Sequence, residues 1–171
     1  MAEPMNEMQG ERVDDDLVPI LDDEPVAARV DGARWKVAII DDDAAVHSGT
    51  KYALSDYELA GQRLDLYSAF SAAEGRTLLA AHPDMAVVLL DVVMGGLDGF
   101  ATCERIREID EELPVLFMTG LNDTEHVLRG FSAGANDYVT KPLSIPEIVA
   151  RVQVHTRTAR LVRSTREAVD A

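Results

Sequence analysis

The sequence predicts an α/β protein built on a doubly wound, five-stranded parallel sheet with five helices. Three observations carry that expectation. From Trp35 onward, short apolar runs alternate five times with segments of helical period, the pattern of consecutive βα units. The run Met85–Leu90 is apolar throughout, as a central parallel strand covered on both faces must be. Polar residues then fall just after successive strands, at the carboxyl edge where open α/β sheets bind ligands.

The elements follow in order. Val37–Ile40 is a four-residue apolar run and reads as the first strand. Residues 44–55 follow as a helix with Val46, Ala53 and Leu54 inward. Leu64 and Leu66 alternate with Arg63 and Asp65, marking the second strand. Ser71-Ala72-Ala73-Glu74 is a capping box that opens the helix carrying Leu78 and Leu79. Met85–Leu90 is the third strand, and Phe100, Cys103 and Ile106 stripe the third helix. Pro114–Met118 is the fourth strand. Asn122 or Asp123 caps a helix with Val127, Leu128 and Phe131 that stops at Gly134. Tyr138 and Val139 form the fifth strand, and the last helix starts near Ser144–Pro146, with proline in its first turn.

Composition narrows the function. The 171 residues are 47% hydrophobic, enough for a core, and carry a net charge of −15. So acidic a chain is a poor direct binder of nucleic acid, whose affinity rests on lysine and arginine neutralising phosphates. A single cysteine, Cys103, excludes an intrachain disulfide and fits a reducing cytoplasm. The N-terminus lacks a basic start and an apolar core of the secretory type, and no apolar run approaches the roughly 20 residues of a membrane helix. The expected location is cytoplasmic, with no membrane contact. Residues 1–34 stand apart, with ten acids against three arginines and three of the seven prolines. They predict a largely disordered acidic extension, in which Leu17-Val18-Pro19-Ile20-Leu21 is an isolated apolar patch between acid clusters.

Asp41, Asp42 and Asp43 follow the first strand, Asp91 the third, Thr119 the fourth and Lys141 the fifth. All cap one edge of one sheet. Two carboxylates about 4 Å apart repel by about 4 kcal/mol at an effective dielectric near 20, so the cluster needs a neutralising partner. Carboxylates without a nearby histidine or cysteine select a hard cation, Mg²⁺ or Mn²⁺. A cation, a lysine and a hydroxyl together suit a transferring phosphoryl group. No Ser–His or Cys–His pair is evident, so the nucleophile is expected to be a carboxylate, with Asp91 the candidate.

The acid pair, the loop LLDVVMGGLDG, the Thr-Gly after the fourth strand and GANDYVTKP, in that order and spacing, resemble the response-regulator receiver domain of two-component signalling over residues 36 to about 161. The resemblance implies a flavodoxin-like sheet of order 2-1-3-4-5. It implies Asp91 as phosphoacceptor and Asp41 and Asp42 as metal-holding acids, together with Asp91 and the backbone carbonyl of Val93. Lys141 pairs with the phosphoryl group and is followed by a cis bond to Pro142. Thr119 and Tyr138 form the switch pair. It further implies a sensor histidine kinase or phosphotransfer protein as donor, and an output surface made by the fourth helix, fifth strand and fifth helix. The sequence departs from the family's usual Pro-Gly with Gly95-Gly96, which loosens the loop. Asp43 reads as a charge favoured at a helix N-terminus.

Other residues read more simply. Cys103, Phe70 and Phe131 are expected in the core, Met94 packed back on the sheet, and Asp98-Gly99 at the cap of the third helix. The four histidines show no metal-ligand spacing. Val93 and Leu121 flank the site without a polar group to orient water, which predicts slow loss of the phosphoryl group. Residues 162–171 continue the last helix beyond the domain at 35–161. Positions 148, 152, 155, 159, 162, 166 and 169 give a weak heptad, spoiled by His155 and Arg166. Five arginines decorate the helix, which reads first as a solvated face and alternatively as a signalling helix that dimerises or leads into an output domain. The acidic extension lying on this helix is one expectation. The leading function is a phosphorylation-driven switch that is not an enzyme on other substrates. The alternatives are a stand-alone interaction or phosphate-sink protein and, least, a Mg²⁺-dependent phosphohydrolase, against which Val93 stands where that chemistry places a second Asp.

Overall fold

The computed structural model describes residues 34–59, 61–95, 98–120, 124–141 and 143–171. The acidic stretch with Leu17–Leu21, Gly96, Leu121, the Asn122 or Asp123 cap and the bond to Pro142 lie outside the described residues. The elements are β1 (Trp35–Ile40), α1 (Ala44–Leu54), β2 (Glu58–Leu59), β3 (Gln62–Ala69), α2 (Ala72–Ala81), β4 (Val87–Asp91), α3 (Gly99–Ile109), β5 (Val115–Thr119), α4 (Thr124–Ser132), β6 (Asp137–Thr140) and α5 (Ile145–Asp170). Among the described residues no helix is long and apolar enough to cross a membrane.

The sheet has six strands in the order β2-β3-β1-β4-β5-β6, one more than the sequence predicts. The extra strand, β2, has two residues and pairs antiparallel with β3, Glu58 opposite Arg63 and Leu59 opposite Gln62. Two residues are too few to show a periodic pattern. The five remaining strands are parallel and take the predicted order 2-1-3-4-5.

Strand side chains alternate between two cores. Ala38, Ile40, Val88, Leu90, Val115 and Phe117 meet α2 and α3 on one face. Val37, Ile39, Val87, Leu89, Leu116 and Met118 face α1 and α5 on the other. This period of two under helices on both sides explains why β4 and β5 are apolar at every position before their last.

Caps set where the helices begin. Ser71 Oγ accepts from Glu74 N at 3.1 Å, while the Glu74 carboxylate accepts from Phe70 N at 2.7 Å, so the box closes one residue earlier than the cap itself. Asp98 caps α3, accepting from Ala101 N at 2.8 Å. Gly134, at φ +100°, ends α4 in a backbone conformation that glycine adopts without strain.

The weak heptad on the last helix has another cause. Ile148, Val152 and Ala159 are buried against the chain's own domain, and Arg166 Nη1 lies 3.1 Å from Glu112 Oε2. The first part of that stripe is the inner face of α5, while Val162 and Val169 further along it are exposed. Phe70 and Phe131 also differ from expectation, at 45% and 46% exposed. Phe70 ends β3's run and lies on the His47 ring, with centroids 4.2 Å apart; Phe131 meets Tyr138 edge-on at the rim of the sheet.

Candidate functional site

The carboxyl ends of β1, β4, β5 and β6 bring the predicted residues to one edge. Asp41, fully buried, is held from every side. Its N–H donates to Ala69 O at 3.1 Å, its Oδ1 accepts from Asp43 N at 2.8 Å, and its Oδ2 accepts from Lys141 Nζ at 2.8 Å. Asp91 ends β4 almost buried, with Oδ1 3.2 Å from the same ammonium and 3.4 Å from the donating N–H of Val93. Asp42 is exposed, and its Oδ2 accepts from Gly95 N at 3.4 Å, tying the acid pair to the loop after Asp91. Asp43 is not part of the cluster. It caps α1, accepting from Ala45 N at 2.9 Å.

One oxygen from each of Asp41, Asp42 and Asp91 lies within 4.8 Å of the others. The Lys141 ammonium pairs with two of these three carboxylates, Asp41 and Asp91. Burial, and next the Asp41 charge, outweigh Lys141 and raise the Asp91 pKa above the ordinary value. Burial opposes the Lys141 charge, yet its hydrogen bonds to Asp41 and Asp91 prevail and raise its pKa. The excess negative charge and the all-oxygen donor set fit a hard divalent cation such as Mg²⁺.

Thr119 ends β5 and is buried; it shares a small cavity with Tyr138, Val92, Phe117, Val127 and Gly130. The Tyr138 ring sits 6.2 Å from the Phe131 ring. Val93 is exposed at the site's rim, and Met94 folds back into the core as expected. Cys103 is fully buried, and burial pushes its thiol up to about 11.

Two residues beside the acids carry no sequence signal of that role. His47 on α1 is buried; its Nε2–H donates to the Asp41 carbonyl at 2.7 Å, and its Nδ1 lies 3.0 Å from Ser68 Oγ. It fixes the main chain of the first acid. Gly99 donates its N–H to Val92 O at 2.8 Å. A Cβ there would meet the Asp91 carbonyl oxygen at 2.2 Å, so only glycine lets α3 start this close to the candidate nucleophile. A buried histidine among scattered ones and a glycine after an aspartate both look ordinary in a sequence.

Residues 37–153 match the response regulator receiver domain family. The chain is 35% identical over 125 residues to the DNA-binding dual master transcriptional regulator RpaA of Synechocystis, covering 71% of this chain and 49% of that protein. It is 36% identical over 121 residues to the transcriptional regulatory protein YvrH of Bacillus subtilis, covering 71% and 48%. The chain thus spans about half the length of these curated relatives. Among solved structures, a putative response regulator from Chloroflexus aurantiacus aligns with TM-score 0.65 at 30% identity, over 73% of this chain and 99% of that one. The BeF3-activated DrrB receiver domain aligns with TM-score 0.61 at 32% identity, over 73% and 99%.

Proposed function

The chain belongs to the response-regulator receiver family of two-component signalling, and on that premise we propose that it is a cytoplasmic switch phosphorylated on Asp91. The observation that carries this reading is the seat of the Lys141 ammonium between Asp41 and Asp91, which with Asp42 place one oxygen each within 4.8 Å of the others. Asp41, Asp42, Asp91 and the backbone carbonyl of Val93 would hold Mg²⁺ or Mn²⁺, which when bound supplies positive charge for the carboxylates and the phosphoryl oxygens.

A sensor histidine kinase or phosphotransfer protein presents a phosphohistidine. An Asp91 oxygen attacks phosphorus, the P–N bond breaks, and the imidazole leaves with the bond's electron pair. Lys141 then donates a hydrogen bond to the transferred group, and Thr119 offers its hydroxyl from the end of β5. Tyr138 follows inward into the cavity beside Gly130. The face of α4, β6 and α5 changes with it and controls a partner, a dimer or an output module, a population shift between two states. The chain catalyses only its own phosphorylation and a slow dephosphorylation, since the exposed Val93 offers no group to orient water.

The test is incubation with acetyl phosphate and Mg²⁺, followed by intact-mass spectrometry. The chain should gain one phosphoryl group, and chelation of Mg²⁺ or Asp91→Asn should abolish the gain. An equal gain in Asp91→Asn would overturn the assignment, and decay within seconds would refute the slow dephosphorylation. Size exclusion with light scattering, in beryllium, fluoride and Mg²⁺, then separates a dimerising switch from a monomer read by a separate protein.

A further inference from the structure

The charge of this molecule is unevenly placed. Within a chain of net charge −15, residues 151–166 of α5 hold five arginines and no acid. Two of these arginines are engaged at home. Arg151 bonds Asp137 at 2.7 Å and Glu147 at 3.3 Å, and Arg166 pairs with Glu112. Arg157 and Arg160 are exposed and form no ion pair among the described residues. They sit on the outer side of α5 beside Val154 and Leu161, 59% and 68% exposed. Val154 and Leu161 are seven residues apart and share one face of the helix, with Arg157 beside them and Arg160 at the margin.

Position supplies the occupant. The carboxyl-terminal half of α5 runs along the amino-terminal edge of the sheet, where Ala159, Val162 and Arg166 line a cleft with Pro83, Met85 and Pro114. The chain enters β1 at that same edge, where Ala86 N donates to Lys36 O at 2.8 Å. Residues 1–33, ten acids against two arginines, therefore join the domain at the end where the basic helix face lies. Their pattern is complementary: Asp14-Asp15-Asp16 and Asp22-Asp23-Glu24 flank Leu17-Val18-Pro19-Ile20-Leu21.

We propose that the segment Asp14–Glu24 of this chain docks on the outer face of α5, its acid clusters on Arg157 and Arg160 and its apolar residues on Val154 and Leu161. The nine residues between Glu24 and Arg34 allow an extended span of up to about 33 Å from one to the other, longer than the roughly 22 Å of helix between residues 151 and 166. Attachment gives the segment an effective concentration of about millimolar order. A second copy of the chain would bring like-charged arginines together, and a nucleic acid would meet a domain of opposite preference. The contact covers the basic helix against other anionic partners, and it weakens as salt screens it.

The test uses the full chain with a nitroxide at Met8→Cys. Cys103 is buried, and its thiol, pushed up to about 11, resists labelling. At low salt the amide NMR signals of residues 154–165 should lose intensity selectively. High salt or the double variant Arg157→Glu/Arg160→Glu should restore them. A mixture of spin-labelled chain with isotope-labelled, nitroxide-free chain should show no loss. Loss centred on another element, or loss that survives the double variant, overturns the proposal. Loss in the mixed sample overturns it in favour of a second copy.

Discussion

Asp91 carries the tension of the site. Burial and the Asp41 charge raise its pKa against the pull of Lys141. An acid whose pKa is raised on folding holds its proton more tightly when folded. Its contribution favours the fold below the ordinary value of 3.8 and is lost as pH rises through the folded value. Without divalent cation, Asp91→Asn should therefore melt higher than the native chain near pH 7, with the gap closing as pH falls below about 4. Saturating Mg²⁺ should reverse the order, because a ligand at a hundredfold its Kd adds about 2.7 kcal/mol to the state that binds it. Equal melting temperatures near neutral pH without Mg²⁺ would mean that Lys141 already cancels the repulsion. The acids, Thr119 and Lys141 were legible because polar residue types stand out at the ends of apolar strands. His47 and Gly99 were not. Each acts through the backbone of an acid, and a main-chain contact leaves no pattern in residue types.

At the scale of elements, α4 and β6 define the space into which Tyr138 would move. Gly130 on α4 lies where an added Cβ would sit 3.0 Å from the Phe117 ring and 3.6 Å from Phe100. Arg129, next to it, stacks on Phe100 at 4.3 Å and pairs with the α3 cap Asp98 at 3.0 Å, which limits how α4 can shift. Gly130→Ala gains up to about 1 kcal/mol in helix propensity and loses about 1–3 kcal/mol to overpacking. Its net stability should fall by up to about 2 kcal/mol, while the Tyr138 ring loses room. Chemical-shift changes at β6 on adding beryllium, fluoride and Mg²⁺ should shrink in this variant while the changes at Asp91 persist. Full-sized changes at β6 would detach the tyrosine from the cavity. Element type was readable from period and caps, as with β4, α2 and α3. What covers an element was not readable. The seven-residue stripe on α5 looks the same whether a second helix or the chain's own sheet lies against it, and β2 is too short to have a period at all.

Across the whole molecule, the two edges of the sheet have separate duties. The carboxyl edge gathers mutually repelling acids, and the amino edge is tied down by Arg107. Its Nε donates to Gly134 O at 2.8 Å, its Nη1 to Asp110 O at 3.1 Å and Leu113 O at 2.6 Å, and its Nη2 to Asn136 Oδ1 at 2.7 Å. Asn136 Oδ1 also accepts from Val115 N at 2.9 Å. One guanidinium thus joins the end of α3, the turn into β5, the stop of α4 and the approach to β6. An arginine between an isoleucine and a glutamate on a helix shows none of this in the sequence, because its partners are carbonyl oxygens, two on the turn just after its helix and two on a distant segment. Arg107→Met keeps most of the apolar stem but leaves part-buried acceptors unpaired, at about 1–3 kcal/mol for each one that water cannot reach. The expected loss is about 2–4 kcal/mol, since several are near the surface. It should be read as a lower urea midpoint at unchanged slope. The Mg²⁺ affinity of the folded variant should stay within about twofold of the native value, a difference under 0.5 kcal/mol, because the clamp and the carboxylates lie at opposite edges. A much weaker Mg²⁺ affinity at full folding would show that the amino edge sets the geometry of the acids, and the two edges would then have to be treated as one cooperative unit.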